Sequence, residues 1–188
     1  SIISSMGCEI SLAVVQPGES SKSLKTAESL YTQALNAKLD RSSSIIALGG
    51  GVVGDLAGFV ASTYMRGINF IQIPTTLLAQ VDSSVGGKVA VNHPLAKNII
   101  GSFYQPKSVY INLDTLNTLP DRQFSTGMAE LIKYGFIWDQ KFLAWLENNI
   151  ERLMRKEKDA LAYAIQRSCK IKAEIVSQDE KEKGLRAI

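Results

Sequence analysis

The sequence predicts an α/β fold, in which a mostly parallel sheet with helices on both faces is followed by the start of an all-helical domain. Short apolar runs suit buried strands, and segments with apolar residues at helical spacing lie between them. After Pro120 the strand signals disappear. We therefore expect a truncated, Rossmann-like nucleotide-binding domain in residues 1–121 and an incomplete helical domain in residues 122–188.

The first elements are predicted from two kinds of spacing. Residues 8–15 place Ile10, Leu12 and Val14 on alternate positions, which predicts a strand that ends before Pro17 and Gly18. Residues 21–39 have apolar residues at helical spacing and predict a helix.

The following segments alternate between strand and helix. Residues 44–48 are an apolar run that predicts a strand covered on both faces, and the glycines after it lead into a helix over residues 52–65. Residues 69–73 and 108–112 predict two more strands. Residues 123–155 and 159–176 read as helices.

Composition excludes several classes of protein. The 21 Lys and Arg against 18 Asp and Glu give a net charge of +3, which is too balanced for a nucleic-acid-binding surface. No apolar run reaches membrane-spanning length. Cys8 and Cys169 form no metal-spaced pair, so we expect reduced thiols in a cytosolic protein. The sequence lacks an initiating Met and stops within a helical pattern, so we expect an internal piece of a longer protein.

A glycine-rich turn is the first candidate ligand site. Four glycines occur within residues 49–54, directly after an apolar strand, and would let backbone N–H groups approach a phosphate at the start of the next helix. The block departs from the common dinucleotide and P-loop patterns, so an ordinary strand-to-helix turn explains it equally well. Asp55 would either favour the helix dipole or orient a ligand.

The next strand ends at the same predicted sheet edge. Thr75 and Thr76 follow Pro74 there, and would either donate to a nucleotide or cap a helix. Asp82 is followed by the pair Gly86 and Gly87 before Lys88, which predicts a loop shaped around a ligand.

A charged pair lies within an apolar helix. Glu130 and Lys133 are three residues apart in GMAELIKYG, where they would form a surface ion pair or meet a ligand. Because the surrounding residues predict a largely buried helix, Glu130 is a candidate oxygen ligand for a divalent metal. His93 is the single histidine, so no histidine-rich metal site is possible within this sequence.

Together these blocks closely resemble the 3-dehydroquinate synthase family over essentially the whole chain. The matching blocks are GGGVVGDLAGF, PTTLLAQVDSSVGGK, AKNIIGSFYQP and GMAELIKYG. The resemblance implies an enzyme that uses NAD and a divalent metal, zinc or cobalt, and works as a homodimer. It would convert 3-deoxy-D-arabino-heptulosonate 7-phosphate, a sugar-acid phosphate, into 3-dehydroquinate and phosphate in the shikimate pathway of aromatic amino-acid biosynthesis.

The resemblance also implies roles for individual residues. Contacts to NAD are implied for Glu19, Lys22, Gly51, Val52, Val53, Gly54, Asp55, Thr75, Thr76, Lys88, Lys97, Thr115, Leu116, Asn117 and Thr118. Contacts to substrate are implied for Asp82, Lys88, Lys97, Asn98, Lys133, Lys172 and Arg186, with Arg66 holding phosphate across a dimer interface. Glu130 matches the first metal ligand.

Departures from the family pattern keep other functions open. The two histidine metal ligands of the family normally follow the segment that contains Arg186, and this sequence ends before them. Ala96 replaces a usual glycine, and Ser21 stands where an aromatic residue is common. The alternatives are a sister cyclase such as 2-deoxy-scyllo-inosose synthase or a valiolone-type synthase, a polyol dehydrogenase, and a non-catalytic nucleotide-binding module.

We expect the 188-residue chain by itself to release no phosphate from the heptulosonate phosphate, because one glutamate cannot hold a catalytic metal. A phosphate-release assay on this chain, supplied with NAD and zinc or cobalt, measures this directly. Turnover above the rate without protein would contradict the expectation.

Overall fold

The computed structural model of the chain describes residues 2–5 and 7–178. Within them the strands are β1 Ser44–Gly49, β2 Asn69–Pro74, β3 Lys88–His93, β4 Ala96–Phe103 and β5 Ser108–Val109. The α-helices are α1 Ile2–Ser5, α2 Leu24–Asn36, α3 Gly51–Thr63, α4 Asp121–Ile137, α5 Gln140–Met154 and α6 Lys158–Gln178. The prediction of an α/β fold followed by helices is confirmed.

A small parallel sheet forms the centre of the first half. Its strand order is β1-β2-β5, and all described pairings within it are parallel. Helix α3 connects β1 to β2 and packs closely on the sheet, since a Cβ on Gly58 would lie 2.9 Å from the Phe70 ring. Around this contact lies a core that includes Leu56, Val60 and Phe70.

The hairpin of β3 and β4 was missed by the sequence prediction. It is antiparallel, with an irregularity between Val91 and His93. In β3, Val89 and Val91 are buried against the first core, whereas β4 is exposed along almost its whole length. Because β4 has no buried face, its sequence lacks the alternation that identifies a strand.

Two predicted strands need correction. Residues 8–15 form no strand, and Leu12 and Val14 are 83% and 78% exposed, since no described strand lies beside them to bury the alternating side chains. The strand predicted over residues 108–112 is only two residues long, because a 3₁₀-helix, Leu113–Thr118, follows closely and is capped by Asn112. The predicted covering of β1 on both faces is also absent in the described residues, where Leu48 is 64% exposed.

Helix ends differ from the prediction where polar side chains cap them. Ser23 accepts a hydrogen bond from the Thr26 N–H and starts α2 later than predicted. Asp139 accepts from the Phe142 N–H and starts α5, which divides the helical segment predicted over residues 123–155.

The helical half has its own core, which also takes residues from the first half. Leu131 on α4, Leu146 on α5 and Leu161 on α6 are buried together with Leu77 and Val81. Leu77 and Val81 precede the predicted boundary at residue 121, so the two halves share buried surface. None of the described helices combines the length and the apolarity needed to cross a bilayer.

Replacing Gly127 with Ala should destabilise the chain. A Cβ there would lie 2.6 Å from Leu77 Cβ and 2.8 Å from the Leu78 backbone N. Gly→Ala normally stabilises a helix interior by about 1 kcal/mol, but overpacking costs about 1–3 kcal/mol. We expect a net loss of up to about 2 kcal/mol in the free energy of unfolding, measured in urea.

The matched control is Ser125→Ala, which introduces the same residue at an exposed position on the same helix. Its unfolding free energy should stay within about 0.5 kcal/mol of the parent chain. A Gly127→Ala variant as stable as this control would show that α4 can move away from Leu77.

Candidate active site

A cleft of about 640 Å³ lies between the hairpin and the helical half. Its walls include β3, β4, α4 and α6, and a π-helical turn, Ala79–Ser83, lies beside it. Among its lining residues are seven of the predicted site residues: Asp55, Asp82, Lys88, Asn98, Glu130, Lys133 and Lys172. The cleft therefore brings carboxylates and amines from both halves of the chain into one place.

Asp82 lies in the π-helical turn and is held by two helices. Lys172 on α6 donates to both the backbone oxygen and Oδ1 of Asp82. The hydroxyl of Tyr134 on α4 lies 3.1 Å from the same Oδ1. Single π-turns within helices are frequent at functional sites, and this one places its carboxylate at the cleft.

The charges around Asp82 favour its ionised form. Burial alone would raise the pKa of Asp82, but the charge and hydrogen bond of Lys172 lower it. The hydrogen bond from Tyr134 and the charge of Lys133 lower it further, so that the pKa lies below its ordinary value. Asp82 is thus a carboxylate acceptor at neutral pH.

Glu130 offers a buried oxygen to the cleft. Its Oε1 lies 2.7 Å from Lys133 Nζ, yet the geometry makes no hydrogen bond, and no other described group donates to that atom. A buried carboxylate oxygen without a donor fits a cation ligand. The described residues contain no group of three or more His, Cys, Asp or Glu side chains that could hold a metal, so within them Glu130 supplies one ligand at most.

A buried ion pair lies at the other end of the site. Lys22 is 4% exposed, and its Nζ lies 2.6 Å from Asp55 Oδ2 and 3.5 Å from Glu19 Oε1. Burial raises the pKa of Asp55 in spite of Lys22. The hydrogen bond from Asn92 is the largest cause that lowers the pKa of Glu19, and Lys22 and Lys97 add to it.

The glycine-rich turn begins α3 and faces the π-helical turn. The first turn of α3 starts at Gly51. The N–H groups of Gly51, Val52 and Val53 have no carbonyl partner within the helix, whereas the Gly54 N–H donates to Gly50 O. A Cβ on Gly51 would lie 3.1 Å from Ser83 Oγ, so a side chain at position 51 would crowd Ser83 in the π-helical turn. Glycine at this position therefore lets the start of α3 approach the π-helical turn closely.

The predicted threonines have structural contacts of their own. Thr76 accepts from the Ala79 N–H, which is the helix-capping role that the sequence left open. Thr115 Oγ1 donates to Asn112 O and accepts from Gln80 Nε2. Leu116 is fully buried in the helical core, whereas Asn117 and Thr118 are exposed on the 3₁₀-helix. Thr75 donates its N–H to Gly49 O, which joins the ends of β1 and β2.

Two residues predicted to contact the substrate, Lys97 and Arg66, do not line the cleft. Lys97 is exposed on β4, and its charge acts on Glu19. Arg66 is exposed after α3, in a left-handed backbone conformation with φ of 68°. Arg186 lies outside the described residues.

Two residues with positioning contacts were missed. Tyr134 lines the cleft. It lies four positions after Glu130, so helical spacing places both residues on the same face of α4. Asn92 donates to Glu19 Oε1 and accepts from the Asn98 N–H, thereby joining the hairpin to the segment that carries Lys22. The sequence gives no signal for Asn92, because Glu19 is distant in the sequence and Asn98 lies in the hairpin, which was not predicted.

Comparison with known proteins identifies relatives over nearly the whole chain. A family model described as 3-dehydroquinate synthase N-terminal matches residues 12–126, and one described as 3-dehydroquinate synthase C-terminal matches residues 127–188. A 3-dehydroquinate synthase from Pelotomaculum thermopropionicum is 64% identical over 97% of this chain. The chain spans 49% of the length of that relative.

Two solved structures have a similar fold over most of this chain. The 2-epi-5-epi-valiolone synthase from Streptomyces hygroscopicus subsp. jinggangensis 5008, with NAD⁺ and Zn²⁺ bound, has a TM-score of 0.87 at 28% identity. The matched region covers 92% of this chain and 49% of that one. A 2-deoxy-scyllo-inosose synthase complexed with carbaglucose-6-phosphate, NAD⁺ and Co²⁺ has a TM-score of 0.83 at 35% identity, over 90% of this chain and 47% of the other.

Replacing Asp82 with Asn should destabilise the chain in a pH-dependent way. Because the pKa of Asp82 is lowered on folding, its ionisation contributes stability above the ordinary value of 3.8, and this is lost as the pH falls through the folded value. The site is partly exposed, so we expect a loss of about 1 kcal/mol near neutral pH.

Unfolding in urea at about pH 7 and about pH 3 measures the difference between parent and variant. The difference should shrink at the lower pH, where the parent carboxyl becomes protonated. An equal difference at both pH values would show that the charge of Asp82 makes no net contribution.

Proposed function

The chain belongs to the 3-dehydroquinate synthase family, and we propose that its protein converts 3-deoxy-D-arabino-heptulosonate 7-phosphate into 3-dehydroquinate and phosphate. The protein is then an NAD-dependent, phosphate-eliminating lyase of the shikimate pathway. Because the chain spans about half the length of its relative, this activity is proposed for the complete protein.

One observation carries the proposal: the cleft places three lysines beside three carboxylates. Lys88, Lys133 and Lys172 line it together with Asp55, Asp82 and Glu130. The ammonium groups suit the phosphate and the carboxylate of the substrate. The carboxylates suit its hydroxyl groups, which donate hydrogen bonds.

NAD would bind at the edge of the sheet, along the start of α3. The N–H groups of Gly51, Val52 and Val53 would be available to the pyrophosphate, with Gly54 and Asp55 directly behind them. Glu19 and Lys22 would contact the ribose, and the adenine would lie beside the 3₁₀-helix of Thr115 to Thr118. NAD supplies a reversible oxidation of a substrate alcohol.

A divalent metal would take Glu130 as one ligand. The buried Oε1, which accepts no hydrogen bond from a described group and pairs only with the charge of Lys133, supports this, and the other ligands would come from outside the described residues. Zn²⁺ and Co²⁺ occur in the two structurally similar synthases, so we propose one of these ions. The metal would polarise substrate oxygens.

The remaining proposals concern assembly and location. Arg66 is exposed and is not among the residues that line the cleft, which suits a phosphate contact in a second subunit of a homodimer. Cys8 and Cys169 are both unpaired thiols in the structure, which suits the reducing cytoplasm. Asn98, which lines the cleft, and Lys97, which precedes it on β4, would complete the substrate and cofactor contacts.

The sister cyclases are a less well supported alternative. The synthase from P. thermopropionicum is 64% identical to the chain, whereas the two similar cyclase structures are 28% and 35% identical. The discriminating measurement is phosphate release from the heptulosonate phosphate against release from a sugar phosphate that lacks the carboxylate. Faster phosphate release from the sugar phosphate without a carboxylate would indicate a sister cyclase instead.

Replacing Glu130 with Gln in the complete protein tests the site. We expect phosphate release to fall by about 100-fold or more, and bound metal to fall with it, because an amide is a weaker ligand than a carboxylate. Phosphate release and elemental analysis measure the two effects. The control is Glu147→Gln, an exposed site on α5, which should retain both.

The wild-type protein should also show no net accumulation of NADH, since the cofactor is regenerated in each turnover. Stoichiometric NADH would indicate a dehydrogenase instead. If the Glu130→Gln variant kept its full metal content, Glu130 would not be a metal ligand.

A further inference from the structure

We propose that Tyr134 is a positioning residue, whose buried hydroxyl fixes the orientation of the Asp82 carboxylate at the cleft. The inference rests on the proposed function for the identity of the ligand that Asp82 would meet. The contact itself lies entirely within the described residues.

The hydroxyl of Tyr134 is buried and has two acceptors within reach. Tyr134 is 3% exposed, and its Oη lies 3.1 Å from Asp82 Oδ1 and 3.3 Å from Val81 O. A phenol has one proton to donate. The carboxylate oxygen is the nearer acceptor and is charged, so it takes this proton in preference to the carbonyl.

The geometry leaves one carboxylate oxygen for a ligand. Lys172 donates to the same Oδ1 that Tyr134 approaches, so both described side-chain hydrogen bonds of Asp82 end on one oxygen. Asp82 lines the cleft, and Oδ2 is therefore the oxygen on which a hydroxyl of the substrate would find an open acceptor.

Tyr134 does what Lys172 alone cannot do. A lysine ammonium sits on a flexible four-carbon stem and can follow a carboxylate as it rotates. Tyr134 on α4 is 3% exposed and belongs to the helical core, so its ring is held by packing and its hydroxyl has a fixed place. Donors from two different helices define both the position and the rotation of the carboxylate.

The charged and titratable groups around Asp82 are consistent with a permanent donor. Lys172 faces it from α6, Tyr134 and Lys133 from α4, and Asp55 from α3. Burial, followed by the negative charge of Asp82, raises the pKa of Tyr134 above its ordinary value. Tyr134 consequently stays protonated at neutral pH, where Asp82 is ionised.

The experiment compares Tyr134→Phe with Tyr64→Phe in the complete protein. Tyr64 is a matched control, since it is 6% exposed and its hydroxyl donates to Leu39 O in the other core. We expect Tyr134→Phe to lower kcat/KM by about tenfold, which is the value of a hydrogen bond to a charged group. The control should change kcat/KM by less than about twofold.

A second measurement separates positioning from packing and does not need activity. The ¹³C resonance of the Asp82 carboxyl, followed through a pH titration of this chain, gives the midpoint of its protonation. Tyr134→Phe should move that midpoint upward by about half a pH unit or more, because a donor to the ionised form has been removed. Tyr64→Phe should leave it in place.

The outcomes are distinct. A raised midpoint together with a lower kcat/KM supports the proposal. A raised midpoint in a complete protein that has no synthase activity supports the positioning contact and overturns the proposed function. An unchanged midpoint overturns the positioning role, whatever the kinetics show. A raised midpoint with unchanged kcat and KM also overturns it, since the orientation of Asp82 would then be irrelevant to turnover.

Discussion

The packing of one π-helical turn against two helices holds the site together. Val81 in this turn and Leu77 just before it are fully buried in the helical core, although they lie in the half of the chain that forms the sheet. Asp82, within the turn, is fixed from α4 and α6 by side-chain donors. The turn thus belongs to both halves, and whatever displaced it would separate the carboxylate of the first half from the lysines of the second.

The sequence predicted the parallel strands, the glycine-rich turn and the buried helix with Glu130 because each has a local signature. Apolar runs, glycines and helical spacing are properties of neighbouring residues. The hairpin was missed since β4 buries no face, and the strand over residues 8–15 was predicted from an alternation that no neighbouring strand uses. The contacts of Tyr134 and Asn92 with distant partners depend on tertiary packing, which residue spacing does not encode.

Electrostatics divides the site into two ends. Around Asp82, amines outweigh the cost of burial and keep the carboxylate ionised. Around Asp55, burial has the larger effect even though Lys22 lies within hydrogen-bond distance. Two aspartates that line one cleft therefore differ in how readily they accept a proton. The overall net charge of +3 gives no indication of this arrangement, because it averages over the whole surface.

The exposure of β4 has a consequence for how the molecule fluctuates. This strand is held by its pairing with β3 and by few tertiary contacts, among them the hydrogen bond between Ser102 and Ser62. Segments with little buried apolar surface open locally at a lower free energy than the cores do. Amide hydrogen exchange would therefore be fastest along this wall of the cleft. Local opening of β4 would widen the cleft on that side while both cores stay folded.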